Sequence, residues 1–167
     1  MIPLANAASG VLAWSKIKGA HSLTLNGEVV ASLHRASFWS STFLAESRGA
    51  QWIFRRTGLL GSNTEIIDTK SNHTLATFHA NWSCGGTLVF ADGQTFAITS
   101  KGLWRPVWTL AGSDERPVLQ VRGSRVELMQ IAGVSEDRLM LLILFVWHRI
   151  QQAAEDSAAV AVMVAAS

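Results

Sequence analysis

Nine consecutive apolar residues, Leu139 to Trp147, sit inside the segment "EDRLMLLILFVWHRIQQ" and limit what this chain can fold into. Ser135-Glu136-Asp137 ahead of the run offers an N-cap and two acids where the helix dipole favours negative charge. His148 and Arg149 come late in it, where cations are favoured, so the segment reads as a helix over 136–152. A surface helix shows a polar stripe every three to four residues. This one shows none through the run, so it must be surrounded. A membrane span needs roughly 20 apolar residues. Here "HRIQQAAEDS" interrupts the run with charge, so no transmembrane span is expected and the enclosing material is protein.

The wall for such a helix is written upstream. From residue 11 to about 130 the apolar residues alternate with period two, the pattern of half-buried strands. In "EVVASLHR", Val29, Ala31 and Leu33 face one way, with Glu28, Ser32 and His34 opposite. In "TLATFHA", Ala76, Phe78 and Ala80 share a face, as do Phe96 and Ile98 in "TFAITS". Asn26-Gly27 and Asp92-Gly93 are tight-hairpin signals, read as turns with φ above zero at both central positions. Ser47-Arg48-Gly49, Asp68 to Asn72 and Gly112 to Glu115 read as longer loops.

About twelve strands follow: 11–17, 21–25, 28–35, 40–46, 51–56, 64–68, 74–80, 86–91, 94–99, 105–110, 117–122 and 125–130. The short connections make neighbours antiparallel. A meander of that size leaves exposed edges unless it closes. Closed, it is too wide to be filled by its own side chains. The expected fold is therefore mainly β, a closed antiparallel barrel of about twelve strands around a buried hydrophobic C-terminal helix. An arm of residues 1–10, one barrel domain over 11–152 with the helix at 136–152, and an Ala-rich tail over 153–167 complete the organisation. The tail, "SAAVAVMVAAS" from Ser157, permits a strand by its alternating Val or a continued helix by its Ala content. An internal echo pairs "WSSTFLAESRGAQWIF", from Trp39, with "WSCGGTLVFADGQTFAI", from Trp82.

The 167 residues suit one domain. Fourteen basic residues against 12 acidic give a net charge of +2, far from the dense cationic stripe of a nucleic-acid binder, so no nucleic acid is expected as partner. Cys84 is the single cysteine and fits a reducing compartment, and the opening "MIPLANAASG" does not read as a signal peptide.

With the barrel and its plug in place, the sequence resembles the Tubby C-terminal-like superfamily, in particular its LURP-one-related and phospholipid-scramblase-like branches. "LNGEVVASLHR" is similar to the repeated turn-Gly-strand units of that group, "TEIIDTKSNHTLATF" to its strand-Asp-loop-strand unit, and "DRLMLLILFVW" to its plug helix. The resemblance spans about residues 11–152. It implies a twelve-stranded barrel around a hydrophobic helix. For activity it implies binding, since Tubby domains bind phosphoinositide headgroups through basic residues and scramblase-like members associate with membranes and calcium. No phosphoinositide motif matches residue by residue. Glu155-Asp156 supplies too few hard oxygens for calcium.

No catalytic residues stand out: G-x-S-x-G, the P-loop and G-x-G-x-x-G are all missing. His73, His79 and Cys84 have metal-ligand chemistry but no common zinc spacing and no fourth ligand, so no metal and no cofactor are expected. Cys84 with His79 as base lacks a third group to orient it. The basic residues carry more. Lys16 and Lys18 close the first strand, Arg55 and Arg56 close another, and Lys101 and Arg105 flank Trp104 in "SKGLWRPVW". A Trp between two cations suits a contact with anionic lipid, ring and charge together, although Trp104 and Trp108 would serve equally as core or rim. The chain is thus expected to be a non-enzymatic, cytoplasmic module, at most peripheral to a membrane. Its surface would meet anionic phospholipid headgroups or a protein partner through Lys16, Lys18, Arg55, Arg56, Lys101, Trp104 and Arg105. The other reading is a membrane-associated, scramblase-like protein that inserts its C-terminal helix. A carrier role is disfavoured because the plug leaves no lumen.

Overall fold

The computed structural model describes residues 10–166. Most of the expected arm, residues 1–9, lies outside the described residues, as does Ser167. Twelve strands run as β1 Leu12–Ile17, β2 Ala20–Leu25, β3 Glu28–Arg35, β4 Phe43–Ser47, β5 Ala50–Thr57 and β6 Asn63–Asp68. They continue as β7 Thr74–Ala80, β8 Gly86–Phe90, β9 Thr95–Lys101, β10 Val107–Gly112, β11 Pro117–Arg122 and β12 Arg125–Leu128. Every neighbouring pair is antiparallel, and β1 pairs with β12, so the meander closes into a barrel. One helix, α1 Glu136–Ala165, follows.

The period-two faces become the barrel's inside. Ala76 and Phe78 on β7, and Phe96 and Ile98 on β9, are all buried, and Ala80 is half-buried. On β3, Ala31 and Leu33 point inward, but Val29 is exposed. The register between β2 and β3 shifts at Leu23/Thr24, leaving Val30 as the extra residue, and this bulge breaks the alternation between Val29 and Ala31. The turns differ in detail from their sequence signals. Asn26 (φ 53°) and Gly27 (φ 88°) have the paired left-handed conformation expected of them. At Asp92-Gly93 only Gly93 (φ 88°) is left-handed. Its N–H bonds Phe90 O and Gln94 O accepts from Phe90 N–H, so the hairpin loop is three residues. Arg48-Gly49 is a two-residue turn rather than a longer loop, because Ser47 pairs directly with Ala50. The fourth strand starts at Phe43, with 36–42 given to the preceding loop.

Helix α1 threads this wall. Ser135 Oγ accepts from the Arg138 backbone N–H, capping its start. Every residue from Leu139 to Arg149 is buried, and Gln152 is the last to be so. Phe145 stands edge-on to both Phe54 and Phe78 at 5.3 Å, and Trp147 stacks on Trp14 at 4.8 Å. Arg138 reaches Asp92 in the β8–β9 hairpin, while Glu155 pairs with Arg35 at the end of β3. The seventeen residue steps from Arg138 to Glu155 carry the helix about 26 Å, from one rim of the barrel to the other.

The helix does not stop at 152. No Gly or Pro follows Ser135, Ala is the strongest helix former, and α1 runs to Ala165. The Ala-rich tail is therefore helix, and beyond Gln152 it is largely exposed. His148 and Arg149 consequently sit mid-helix, and the helix-dipole argument for them does not apply. Among the described residues, no helix is long and apolar enough to cross a membrane.

One glycine marks a tight spot in the wall. A Cβ on Gly85 would lie 2.2 Å from the Ile98 carbonyl oxygen, a backbone atom that cannot swing away. Gly85→Ala should therefore cost about 1–3 kcal/mol, the usual cost of overpacking, measured as a fall in the urea midpoint at unchanged m-value.

Candidate functional site

The up-and-down order sends every odd-numbered strand toward the rim where α1 emerges, so the loops after β1, β3, β5, β7 and β9 share that end. Those loops carry Phe38 and Trp39, Leu59 and Leu60, Trp82, and Leu103 and Trp104. Each is at least 83% exposed. Among the described residues, every exposed Phe, Trp and Leu lies in one of these loops. Phe38 and Trp39 touch edge to face at 5.0 Å but bury little of each other. The exposed part of α1 rises from the same rim, with Val160 and Val162 on its surface. Large apolar side chains held in water on short loops are costly unless something covers them.

The cations expected from the sequence fall at this end too. Lys16 is exposed near the end of β1, and Lys18 (φ 51°) forms the β1–β2 turn with Gly19. Lys101 closes β9, and Trp104 and Arg105 lie exposed in the β9–β10 loop. Arg55 points out from the end of β5 and pairs with Glu65 at 2.7 Å, which spends most of its charge locally. Arg56 turns toward the helix, its Nε donating to Gly61 O at 3.3 Å and its Nη2 3.8 Å from Asp156. They do not form one patch. The β1–β2, β5–β6 and β9–β10 connections are four strands apart in a twelve-strand circle, so the cations ring the rim between the apolar loop tips.

Two further arginines at this rim were not singled out from the sequence. Arg35 packs its guanidinium over Phe43 at 4.8 Å and pairs with Glu155. Arg149 projects from α1 over Phe78 at 4.7 Å. A signal for the loop tips was present: "SFWSS", "TGLLGS", "ANWSCGG" and "KGLWRP" each set large apolar residues among turn formers, where polar residues are the rule. Trp104 and Trp108, two candidates for one role, part company: Trp104 is exposed and Trp108 points into the core.

His73, His79 and Cys84 are kept apart. His73 lies ahead of β7 and Cys84 beyond it, at opposite rims, and His79 Nδ1 is 3.1 Å from Asn63 Oδ1. Among the described residues no three His, Cys, Asp or Glu side chains gather as a metal site.

Comparisons of the chain with family models, with curated proteins and with solved structures gave no match.

Proposed function

We propose that this chain is a non-enzymatic, cytoplasmic binding module of the Tubby C-terminal-like type that docks the helix-exit end of its barrel on an anionic phospholipid surface. The convergence of every exposed Phe, Trp and Leu on that one end carries the reading. Trp, Phe and Leu on rigid loops sink into the headgroup boundary while the scaffold stays in water. Lys16, Lys18, Lys101 and Arg105, ringed among them, would each add about 1 kcal/mol of attraction near an anionic leaflet.

The exposed end of α1 favours a second reading, in which the helix itself inserts. Residues 139–152 are enclosed by twelve strands, so only the apolar tip from Ala158 to Ala165 is available without opening the barrel. Eight residues reach about 12 Å, well short of a hydrocarbon core of roughly 30 Å. Insertion would be a shallow anchor beside the loop tips.

Vesicle flotation tests both. The wild-type chain should float with phosphatidylcholine vesicles containing phosphatidylserine, less so in high salt. The triple variant Trp39→Ser/Leu59→Ser/Trp104→Ser, drawn from three separate loops, should bind at least about tenfold more weakly, two or more interfacial anchors being lost. Val160→Ser/Val162→Ser should have the larger effect if the helix tip dominates. A well-folded wild type that ignores anionic vesicles would refute the membrane reading and leave the apolar loop tips to a protein partner.

A further inference from the structure

Between the emerging helix and the β5–β6 and β7–β8 loops lies a cavity of about 640 Å³, whose wall holds two guanidinium groups, Arg56 and Arg149, against one carboxylate, Asp156, with Asn81, Cys84 and the exposed Trp82 beside them. We propose that this cavity is an anion site for a phosphomonoester, held between the guanidinium groups of Arg56 and Arg149.

The cavity has excess positive charge at its base. Arg149 is only 6% exposed, yet its Nε donor has no hydrogen-bond partner among the described residues. Among the described residues, its one hydrogen bond to another side chain is long, from Nη1 to Gln152 Oε1 at 3.4 Å. A buried guanidinium with an unused donor is expensive, and the group commonly found opposite such a fork is a carboxylate or phosphate. Here the acid on hand, Asp156, is exposed and stands 3.8 Å from Arg56, too far for a good hydrogen bond. Burial pushes the Arg149 guanidinium below its usual value, and the like charge of Arg56 pushes it further in the same direction. A bound dianion would relieve both.

The geometry is fixed in advance. Phe78 lies under the Arg149 guanidinium at 4.7 Å and sets its plane. Gly61 (φ 66°) has no Cβ, which would otherwise come within 2.8 Å of Arg56 Nε, so Arg56 can lie against the loop backbone and bond Gly61 O. Ser62 and Asn81 offer neutral donors around the same space. The volume falls in the usual range for small-molecule sites, and the apolar mouth suits a ligand whose phosphate leads and whose remainder is not highly charged. The ester could be a free metabolite or a lipid headgroup. The chemistry at Arg56 and Arg149 is the same.

Cys84, exposed on the cavity wall, reports occupancy. Its alkylation rate should fall about fivefold in glycerol phosphate at four times the dissociation constant, against chloride at matched ionic strength, and the thermal midpoint should rise. Arg149→Met keeps the side chain's length and removes the buried charge, so it should fold with an equal or higher midpoint and lose the protection. Arg56→Gln, at a more exposed position, should lose it too. Alkylation at the chloride rate both in glycerol phosphate and with vesicles containing phosphatidic acid, or protection that survives in both variants, would overturn the proposal. Vesicles containing phosphatidic acid separate the two sources of phosphate. Protection by vesicles and not by glycerol phosphate assigns the site to a headgroup, and the reverse assigns it to a soluble ester. The Trp39→Ser/Leu59→Ser/Trp104→Ser variant leaves the cavity wall intact. Its protection by glycerol phosphate should persist even where vesicle binding is lost, so failure of the membrane reading and failure of this one give different results.

Discussion

Leu144→Asp should leave the chain without a cooperative unfolding transition, whereas Val162→Asp, the same kind of change on the same helix, should leave it folded. Leu144 is fully enclosed by the barrel and Val162 is exposed on the emerging segment. Removing a buried leucine side chain costs roughly 2–5 kcal/mol in lost transfer energy and cavity. Placing a carboxyl group with no partner in the same space adds several kcal/mol more, even when the acid protonates to avoid carrying charge. Together these reach or exceed the roughly 5–15 kcal/mol that holds a typical domain together. Phe145, the next residue, lies between Phe54 and Phe78, so the neighbourhood has no room to admit water in compensation. Far-UV circular dichroism and urea titration of the two variants decide the matter. A wild-type midpoint for Leu144→Asp would mean that the strands do not enclose α1. A collapsed Val162→Asp would mean that the exposed segment packs against something the barrel needs.

That contrast also marks where the sequence could be read and where it could not. The run from Leu139 to Trp147 forces enclosure because nine apolar residues cover every face of a helix, and the strands written over residues 11–130 are the material at hand to enclose it. Period two and the Gly-containing turns then give all twelve strands, with most errors confined to the ends. The register shift at Leu23/Thr24 was invisible, since a bulge inserts a residue without changing composition, and it alone exposes Val29. The tail was ambiguous because Val at every second position also spaces well on an Ala-rich helix. What decides it is that no Gly or Pro interrupts α1 between Glu136 and Ala165. The cations at the rim were identified singly, and their common location follows from topology: Lys16, Arg55, Arg56 and Lys101 all lie near the ends of odd-numbered strands. Of the loop-tip residues only Trp104, set between two cations, stands out in the sequence. An apolar residue next to a strand is ordinarily assigned to the core, and the hairpin geometry is what shows that Trp39 and Trp82 stand beyond it. The echo between the segments starting at Trp39 and Trp82 acquires a spatial meaning here, since each tryptophan lies in a loop at the helix-exit rim just ahead of a hairpin, β4–β5 or β8–β9.

Acid should destabilise the fold well before its carboxylates titrate, and His148 should be the main cause. The ring is fully buried among Phe43, Phe54 and Phe145, and among the described residues neither nitrogen has a hydrogen-bond partner. Burial drives its pKa well below the ordinary value, and the charges of Arg149, Arg56 and Arg35 act in the same direction. The native state therefore holds the imidazole neutral, while the unfolded chain takes up a proton near pH 6.5. Below that pH the unfolded state binds more protons, so stability is complete above about 6.5 and falls by up to about 1.4 kcal/mol per pH unit beneath it. His21, half-buried against Trp147 and near Lys16, is shifted the same way by burial and by that charge, and contributes a smaller share. Asp68 and Asp92, held below the usual carboxylate value by their hydrogen bonds, come into play only at lower pH. Replacing the ring by an apolar side chain of similar volume removes both the unsatisfied nitrogens and the proton linkage. His148→Leu should thus gain about 1–3 kcal/mol at pH 7 and lose most of the slope between pH 6.5 and 5, both read from urea midpoints. An unchanged slope would place the acid sensitivity elsewhere. A loss of stability at pH 7 would show that the imidazole makes an interaction, through a bound water or a ligand at the neighbouring Arg149, that its protein surroundings alone do not supply.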